Sequence, residues 1–254
     1  MGTAKWEQTK PKKNRLKPKS MHVYVYDTYV SEKKYAAQIA KIETRITDLG
    51  LNGKIIRLGL ISSIDQAIIS EIKKGAKTIV MVGGVKLLHQ GVNALAKIIT
   101  SETLGQNIPL AFIPVGKDEF GAGQILGLKA GEEACNVLSQ RRIKEVGLGK
   151  ADNNYFLFSA QIATNDTILE IDENYTIKIK KPGLIKVENL KNTLNLLITT
   201  KKRNKNSLFP FKNLLLSDSK HPLILDFVVE LNLPVKITTA KEKINLIVGS
   251  SREF

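Results

Sequence analysis

Gly83-Gly84-Val85-Lys86 is the part of this chain best suited to chemistry, because of what stands on either side of it. Before it, Thr78-Ile79-Val80-Met81-Val82 is uncharged and mostly β-branched, as a strand buried on both faces is. After it, Leu88, Val92, Leu95 and Ile99 recur at the spacing of an amphipathic helix. Paired glycines let the backbone turn sharply where a Cβ would clash. A strand, a glycine turn and a helix start form a cradle for a phosphate, since the first-turn amides and the helix dipole both face an arriving anion. A turn that only packs the helix onto its sheet would use the same residues, and the motif alone leaves both readings open.

The surrounding elements repeat this plan. A strand over 21–26 leads into Asp27-Thr28, and Ser31 is placed to cap a helix carrying Tyr35, Ile39, Ile42, Ile46 and Leu49, which Gly50 ends. Residues 54–60 read as a second strand, and Ser62-Ser63-Ile64-Asp65 opens a helix running to Gly75. An apolar strand over 108–114 precedes Gly116-Lys117-Asp118, and a further helix covers 131–140. Strands alternating with helices predict a parallel sheet with right-handed crossovers. In such sheets ligands sit beyond the carboxyl ends of the strands. That edge carries the candidate binding residues Asp27, Thr28, Gly83, Gly84, Lys86, Gly116, Lys117 and Asp118.

Beyond residue 142 the pattern shortens to β-prone runs at 143–149, 154–162, 167–171, 176–181, 184–187, 194–199, 223–229, 235–239 and 244–248. These predict an antiparallel β-sandwich. The expected organisation is a disordered basic arm over 1–20, a parallel-sheet α/β domain over 21–141 and a β-sandwich domain over 142–254. The arm, with Lys10, Lys12, Lys13, Arg15, Lys17 and Lys19, has too little apolar surface to pack, and serves as a solubilising tail or an anchor. The basic run 201–206 reads as a solvated loop, since it lacks interleaved aromatics for base stacking.

The 254 residues are 43% hydrophobic and 25% charged, a globular composition with a formal charge of +15. That charge attracts polyanions: nucleic acid, anionic lipid headgroups or phosphorylated ligands. The single cysteine, Cys135, excludes an internal disulfide or a cysteine-cluster metal site and reads as a small buried hydrophobe. His22, His89 and His221 lack metal-ligand spacing, so no metal is assigned. With no membrane-spanning apolar run and no signal-peptide h-region, the expected location is cytoplasmic.

Taken in order, several stretches resemble the catalytic domain of diacylglycerol kinases and related bacterial lipid kinases. They are residues 75–84 followed by Val92-Asn93-Ala94-Leu95, then Pro109-Leu110-Ala111-Phe112-Ile113-Pro114-Val115-Gly116, Leu126-Gly127-Leu128, Glu145-Val146-Gly147-Leu148-Gly149 and Tyr155-Phe156-Leu157. The resemblance implies ATP, with Mg²⁺ in a catalytic member, held between an α/β domain and a β-sandwich, and transfer to a lipid hydroxyl. The departures fall on the chemistry. The family's Gly-Gly-Asp-Gly-Thr loop is Gly83-Gly84-Val85-Lys86-Leu87 here, its following Asn and Glu are His89 and Gln90, and Gly-Thr-Gly-Asn-Asp-Phe-Ala is Gly116-Lys117-Asp118-Glu119-Phe120-Gly121-Ala122. The turn after the first strand, Asn-Pro-x-x-Gly in the family, is Tyr26-Asp27-Thr28-Tyr29. The later Gly-x-Gly-Phe-Asp falls on Gln161-Ile162-Ala163-Thr164-Asn165, with Asp166 beside it, and Asp-Gly-Glu falls on Asp226-Phe227-Val228.

Phosphoryl transfer needs metal ions and a group that orients the acceptor. The resemblance leaves Asp166 and Asp226 as candidates for those roles and Lys86 as added positive charge at the phosphates. It therefore implies a protein that binds ATP or another phosphorylated ligand, with catalysis weak or lost. The alternatives are an active ATP-dependent lipid kinase resting on an anionic membrane, and a non-enzymatic scaffold or nucleic-acid-associated protein.

Overall fold

The computed structural model describes residues 21–58, 63–101, 108–118, 120–164, 166–190, 193–200, 203–217 and 220–253. The basic arm lies outside them, as do Glu119 and Asn165. Four parallel strands, β1 (Met21–Tyr26), β2 (Gly53–Arg57), β3 (Ala76–Gly83) and β4 (Leu110–Pro114), lie in the order β2-β1-β3-β4. The connecting helices are α1 (Ala36–Asp48), α2 (Ile64–Lys73) and α3 (Val85–Ser101), with α4 (Ala122–Ile125) and α5 (Glu132–Gln140) after β4.

Alternate residues of a strand face opposite ways, and here both faces are covered. Ile79 and Met81 of β3 pack with Ile68, Leu88, Val92 and Leu95 of α2 and α3. Val80 and Val82 pack with Ile39, Ile42, Ala134 and Leu138 of α1 and α5. This double cover is why 78–82 carries no charge. Cys135 belongs to the second cluster, and burial pushes its thiol up to about 11, consistent with a packing residue. Ser31 does not cap α1. Asp27 starts a 3-10 turn over Thr28–Ser31 by accepting the Thr28 amide, a second turn covers Lys33–Tyr35, and α1 begins at Ala36.

The second half contributes β5 (Ile143–Ala151), β6 (Asn154–Phe156), β7 (Ser159–Thr164), β8 (Thr167–Ile171), β9 (Tyr175–Ile179), β10 (Gly183–Leu190), β11 (Thr193–Thr200), β12 (Arg203–Pro210), β13 (Asn213–Ser217), β14 (Leu223–Leu225), β15 (Val229–Leu231) and β16 (Val235–Ile247). An antiparallel sheet, β12-β11-β10-β7-β14-β15, faces β16-β13-β8-β9 across a core that includes Ile162, Val187, Leu196, Leu214 and Ile237. Lys201 and Lys202 lie outside the described residues. Arg203 to Asn206 belong to β12 instead of a loop: Arg203 pairs with Thr200 and Ser207 with Ile198 of β11, with a register shift between the two pairs.

The expected strands at 235–239 and 244–248 are one element. The first half of β16 pairs with β13 in the sandwich, while Leu246 pairs in parallel with Leu110 of β4. Against β5 its register shifts between Thr239 and Lys243, an irregularity of the kind that bends a strand. This strand thus runs from the sandwich back into the α/β sheet. Among the described residues, no helix is long and apolar enough to cross a membrane.

Candidate functional site

The carboxyl ends of β1, β3 and β4 open onto a hollow of about 300 Å³. Asp27, Gly83, Gly84 and Lys86 line it from the first three elements, Lys117 and Asp118 from the loop after β4, and Val228 from the sandwich. Gly83 is there because of close approach: a Cβ at this position would meet Asp27 Cβ at 2.6 Å and Leu87 Cδ2 at 3.2 Å. The Gly84 carbonyl accepts from the Leu87 and Leu88 amides at 3.1 and 3.2 Å, which starts α3 directly at the turn. The first-turn amides ahead of these have no carbonyl beneath them within the helix. Lys86 and Lys117 are exposed, whereas Leu87, at 1% exposure, fills core beneath the turn.

Each carboxylate beside the hollow gives one oxygen to the local backbone. Asp27 Oδ1 accepts from the Thr28 amide at 2.8 Å and from the Thr28 hydroxyl at 3.3 Å. Asp118 Oδ2 accepts from the Gly123 and Gln124 amides at 2.8 and 3.3 Å, holding the start of α4. Thr28 and Gly116 flank the hollow without lining it, and the Gly116 amide donates to Gln38 Oε1 at 3.0 Å. Tyr29 Oη donates to the Val115 carbonyl at 2.8 Å; burial, then the Asp27 charge, raise this phenol well above its ordinary value, so it stays protonated.

Asp226 lies behind the hollow, 1% exposed, at the junction of the two halves. Its carboxylate accepts from the amides of Leu157, Phe158 and Ser159 at 2.7–3.2 Å. His89 Nδ1 lies 2.9 Å from Oδ2 and must donate, because a carboxylate only accepts. His89 Nε2 then accepts from Asn93 Nδ2 at 3.1 Å. Asn93 also brackets the Tyr155 backbone, donating to its carbonyl at 2.8 Å and accepting from its amide at 2.9 Å. These buried bonds join α3 to the start of the sandwich. They give Asp226 an anchoring role.

Asp166 is exposed in the turn between β7 and β8. The Asp226 amide bonds to Ser159 at the start of β7, so about 17 Å of strand separates the two carboxylates. They do not share a site. Among the described residues no group of three His, Cys, Asp or Glu side chains is arranged to hold a metal ion. The residues that sequence reasoning passed over are His89 and Phe227. His89 shares a buried side of α3 with Asn93, one turn on, and polar groups amid Leu88 and Val92 were the available signal.

No protein-family model matches this chain, and no curated protein matches it in sequence. In structure it is similar to the crystal structure of a diacylglycerol kinase from Bacillus anthracis str. Sterne, with a TM-score of 0.71 at 14% identity over 91% of this chain and 98% of that one. Two further structures from the same strain align over the same shares with TM-scores of 0.71 and 0.70. An identity this low carries the architecture and leaves the chemistry to the residues described above. From β1 to β16, the chain has the diacylglycerol-kinase fold.

Proposed function

We propose that the chain binds ATP, or another ligand bearing phosphates, in the hollow at the start of α3, and that phosphoryl transfer from it is weak or absent. One observation carries this reading. The hollow combines the glycine turn and two exposed lysines with carboxylates already held by backbone amides. Lys86 and Lys117 face phosphate oxygens as point charges, and the first turn of α3 adds amide donors. Magnesium is held through carboxylates in octahedral geometry. Asp27 and Asp118 each give one oxygen to a turn, and Asp226 gives both of its oxygens to the domain junction. The residues present therefore fit the nucleotide's phosphates better than its metal. ATP supplies the transferable phosphoryl group, and in a catalytic version the acceptor is a lipid hydroxyl of the kind named for the structural relative.

The test is calorimetric titration of ATP with Mg²⁺ and with chelator. Binding of similar strength is expected in both. Charge reversal in Lys86→Glu changes two units at about 1 kcal/mol each near 4 Å in water, so affinity falls roughly thirtyfold. Absence of binding in either condition overturns the reading, and lipid phosphorylation that requires Mg²⁺ overturns its inactive half. Salt separates it from polyanion binding, since affinity for an oligonucleotide would fall by orders of magnitude between low and moderate salt.

A further inference from the structure

Two consecutive residues that are not glycine sit in the left-handed region, Asp226 at φ +44° and Phe227 at φ +69°. For a bulky side chain this backbone is an outlier, and it persists where the surroundings over-determine it. Here they do. The amides of Leu157, Phe158 and Ser159, together with His89, fix the Asp226 carboxylate, and the Asp226 amide is tied to the Ser159 carbonyl at 2.8 Å. The chain leaves this anchor in a set direction, which carries the Phe227 ring between the two halves of the molecule.

There the ring lies parallel to Phe120, with centroids 5.3 Å apart and planes 4° apart. The Phe158 ring, tilted by 30°, is 6.4 Å away. Phe120 lines the lysine-bearing hollow. Phe227 and Phe158 line a second hollow of about 170 Å³, floored by Ile125, Val146 and Leu157 and edged by the Lys186–Glu188 ion pair at 2.6 Å. Val228, the next residue, lines the first hollow again. The ring therefore stands between two hollows, the second of which also carries Ser159, Asn189 and Glu253 on its wall.

We infer that Phe227 sets the size of ligand this cleft accepts: it divides the cleft in two and excludes any molecule long enough to occupy both compartments. The inference rests on the reading that the first compartment takes a phosphorylated or otherwise anionic group. An anionic ligand in the first hollow and a small guest in the second then bind separately, and a molecule with an anionic end and a body long enough to reach both finds its path blocked by the ring.

The experiment uses 1-anilinonaphthalene-8-sulfonate, whose sulfonate and fused rings suit the two compartments, titrated by fluorescence into the full chain and into Phe227→Ala and Phe227→Gly. Both variants remove the ring, and glycine also relieves the left-handed backbone. Merging the compartments buries more of the probe, so its Kd falls about tenfold, with one probe per chain and the near-UV spectrum retained. ATP then displaces the probe from the variants. An unchanged Kd in folded variants overturns the inference. If neither Phe227 variant folds, Phe120→Ala decides. It trims a ring that is 43% exposed and leaves the Asp226 anchor intact. About a threefold gain in probe affinity supports the partition, and no gain overturns it. Failure of ATP to bind the native chain refutes the nucleotide reading alone, because the comparison of probe affinities does not depend on it.

Discussion

Asp226 offers the sharpest test of how this molecule is built, since its carboxylate meets four buried donors at once. In Asp226→Ala the amides of Leu157, Phe158 and Ser159 and the imidazole N–H of His89 lose their acceptor. A stranded buried donor costs about 1–3 kcal/mol, and removing one partner of a buried pair costs about 3–5 kcal/mol in total, because neighbouring groups relax. A loss of about 4 kcal/mol is expected, a large share of the 5–15 kcal/mol that typically holds a domain together. Asparagine tolerates the left-handed backbone, yet its NH₂ must face one of the donors, so Asp226→Asn should lose about 2 kcal/mol. Urea unfolding followed by circular dichroism reads these values. At a slope near 2 kcal/mol/M, the alanine variant shifts Cm by about 2 M and the asparagine variant by about 1 M. A shift below about 0.5 M in Asp226→Ala would refute the anchoring role. Lost lipid phosphorylation with an unchanged Cm would make Asp226 a catalytic group instead.

Two further outcomes follow from the same bookkeeping of carboxylates. Glu71 is buried with Lys54 Nζ at 2.7 Å and Lys74 Nζ at 3.0 Å; burial alone would raise its pKa, but hydrogen bonds from the two ammonium groups outweigh it and hold the carboxyl below its ordinary value of 4.5. The folded state thus binds this proton less readily than the unfolded chain, so the stabilisation is complete above about pH 4.5 and is lost as pH falls through the folded value. Melting temperatures measured against pH should show a shallower acid limb in Glu71→Gln, and an identical limb would contradict the assignment. Asp118→Ala removes the acceptor that starts α4 and should lower stability by about 1 kcal/mol. Its ATP titrations should respond to Mg²⁺ as the native chain's do; loss of a Mg²⁺-dependent component would mean that Asp118 is a metal ligand.

Much of the architecture could be read from local pattern because local pattern follows burial. The uncharged run ending at Val82 is covered on both faces, and Thr167–Ile171 alternates buried and exposed positions along its length. Strand β16 reads as two strands because Ala240-Lys241-Glu242 interrupts the apolar pattern, where the register against β5 shifts. The glycine turn and Lys86 were legible because they are neighbours in the chain, and Lys117 because it follows a strand whose end lies at the same sheet edge. The pairing of His89 with Asp226 spans 137 positions, and nothing near either residue announces the other. The left-handed Phe227 was hidden for a different reason. Phenylalanine disfavours that backbone, and the tight turn between β14 and β15, closed by the Val228 amide on the Leu225 carbonyl at 2.9 Å, imposes it together with the anchor.

The anchoring of Asp226 and the weak catalysis proposed for this chain share one physical origin. A carboxylate serves as a base or metal ligand only while it keeps acceptor capacity facing the reactants. Asp226 turns that capacity toward three amides and an imidazole, and the interaction is strong because the surroundings are dry. What the junction gains in rigidity, Asp226 gives up in capacity for acid–base chemistry. The same rigidity shapes how a ligand is met. Asn93 clamps Tyr155 through both backbone groups, and β16 runs unbroken from the sandwich into the α/β sheet. Closing the two halves about a guest would break buried hydrogen bonds, at about 1–3 kcal/mol for each donor left without an acceptor. A ligand of the kind proposed must therefore fit the hollow as it stands, and in the partition inferred above the ring of Phe227 sets how far into the cleft it reaches.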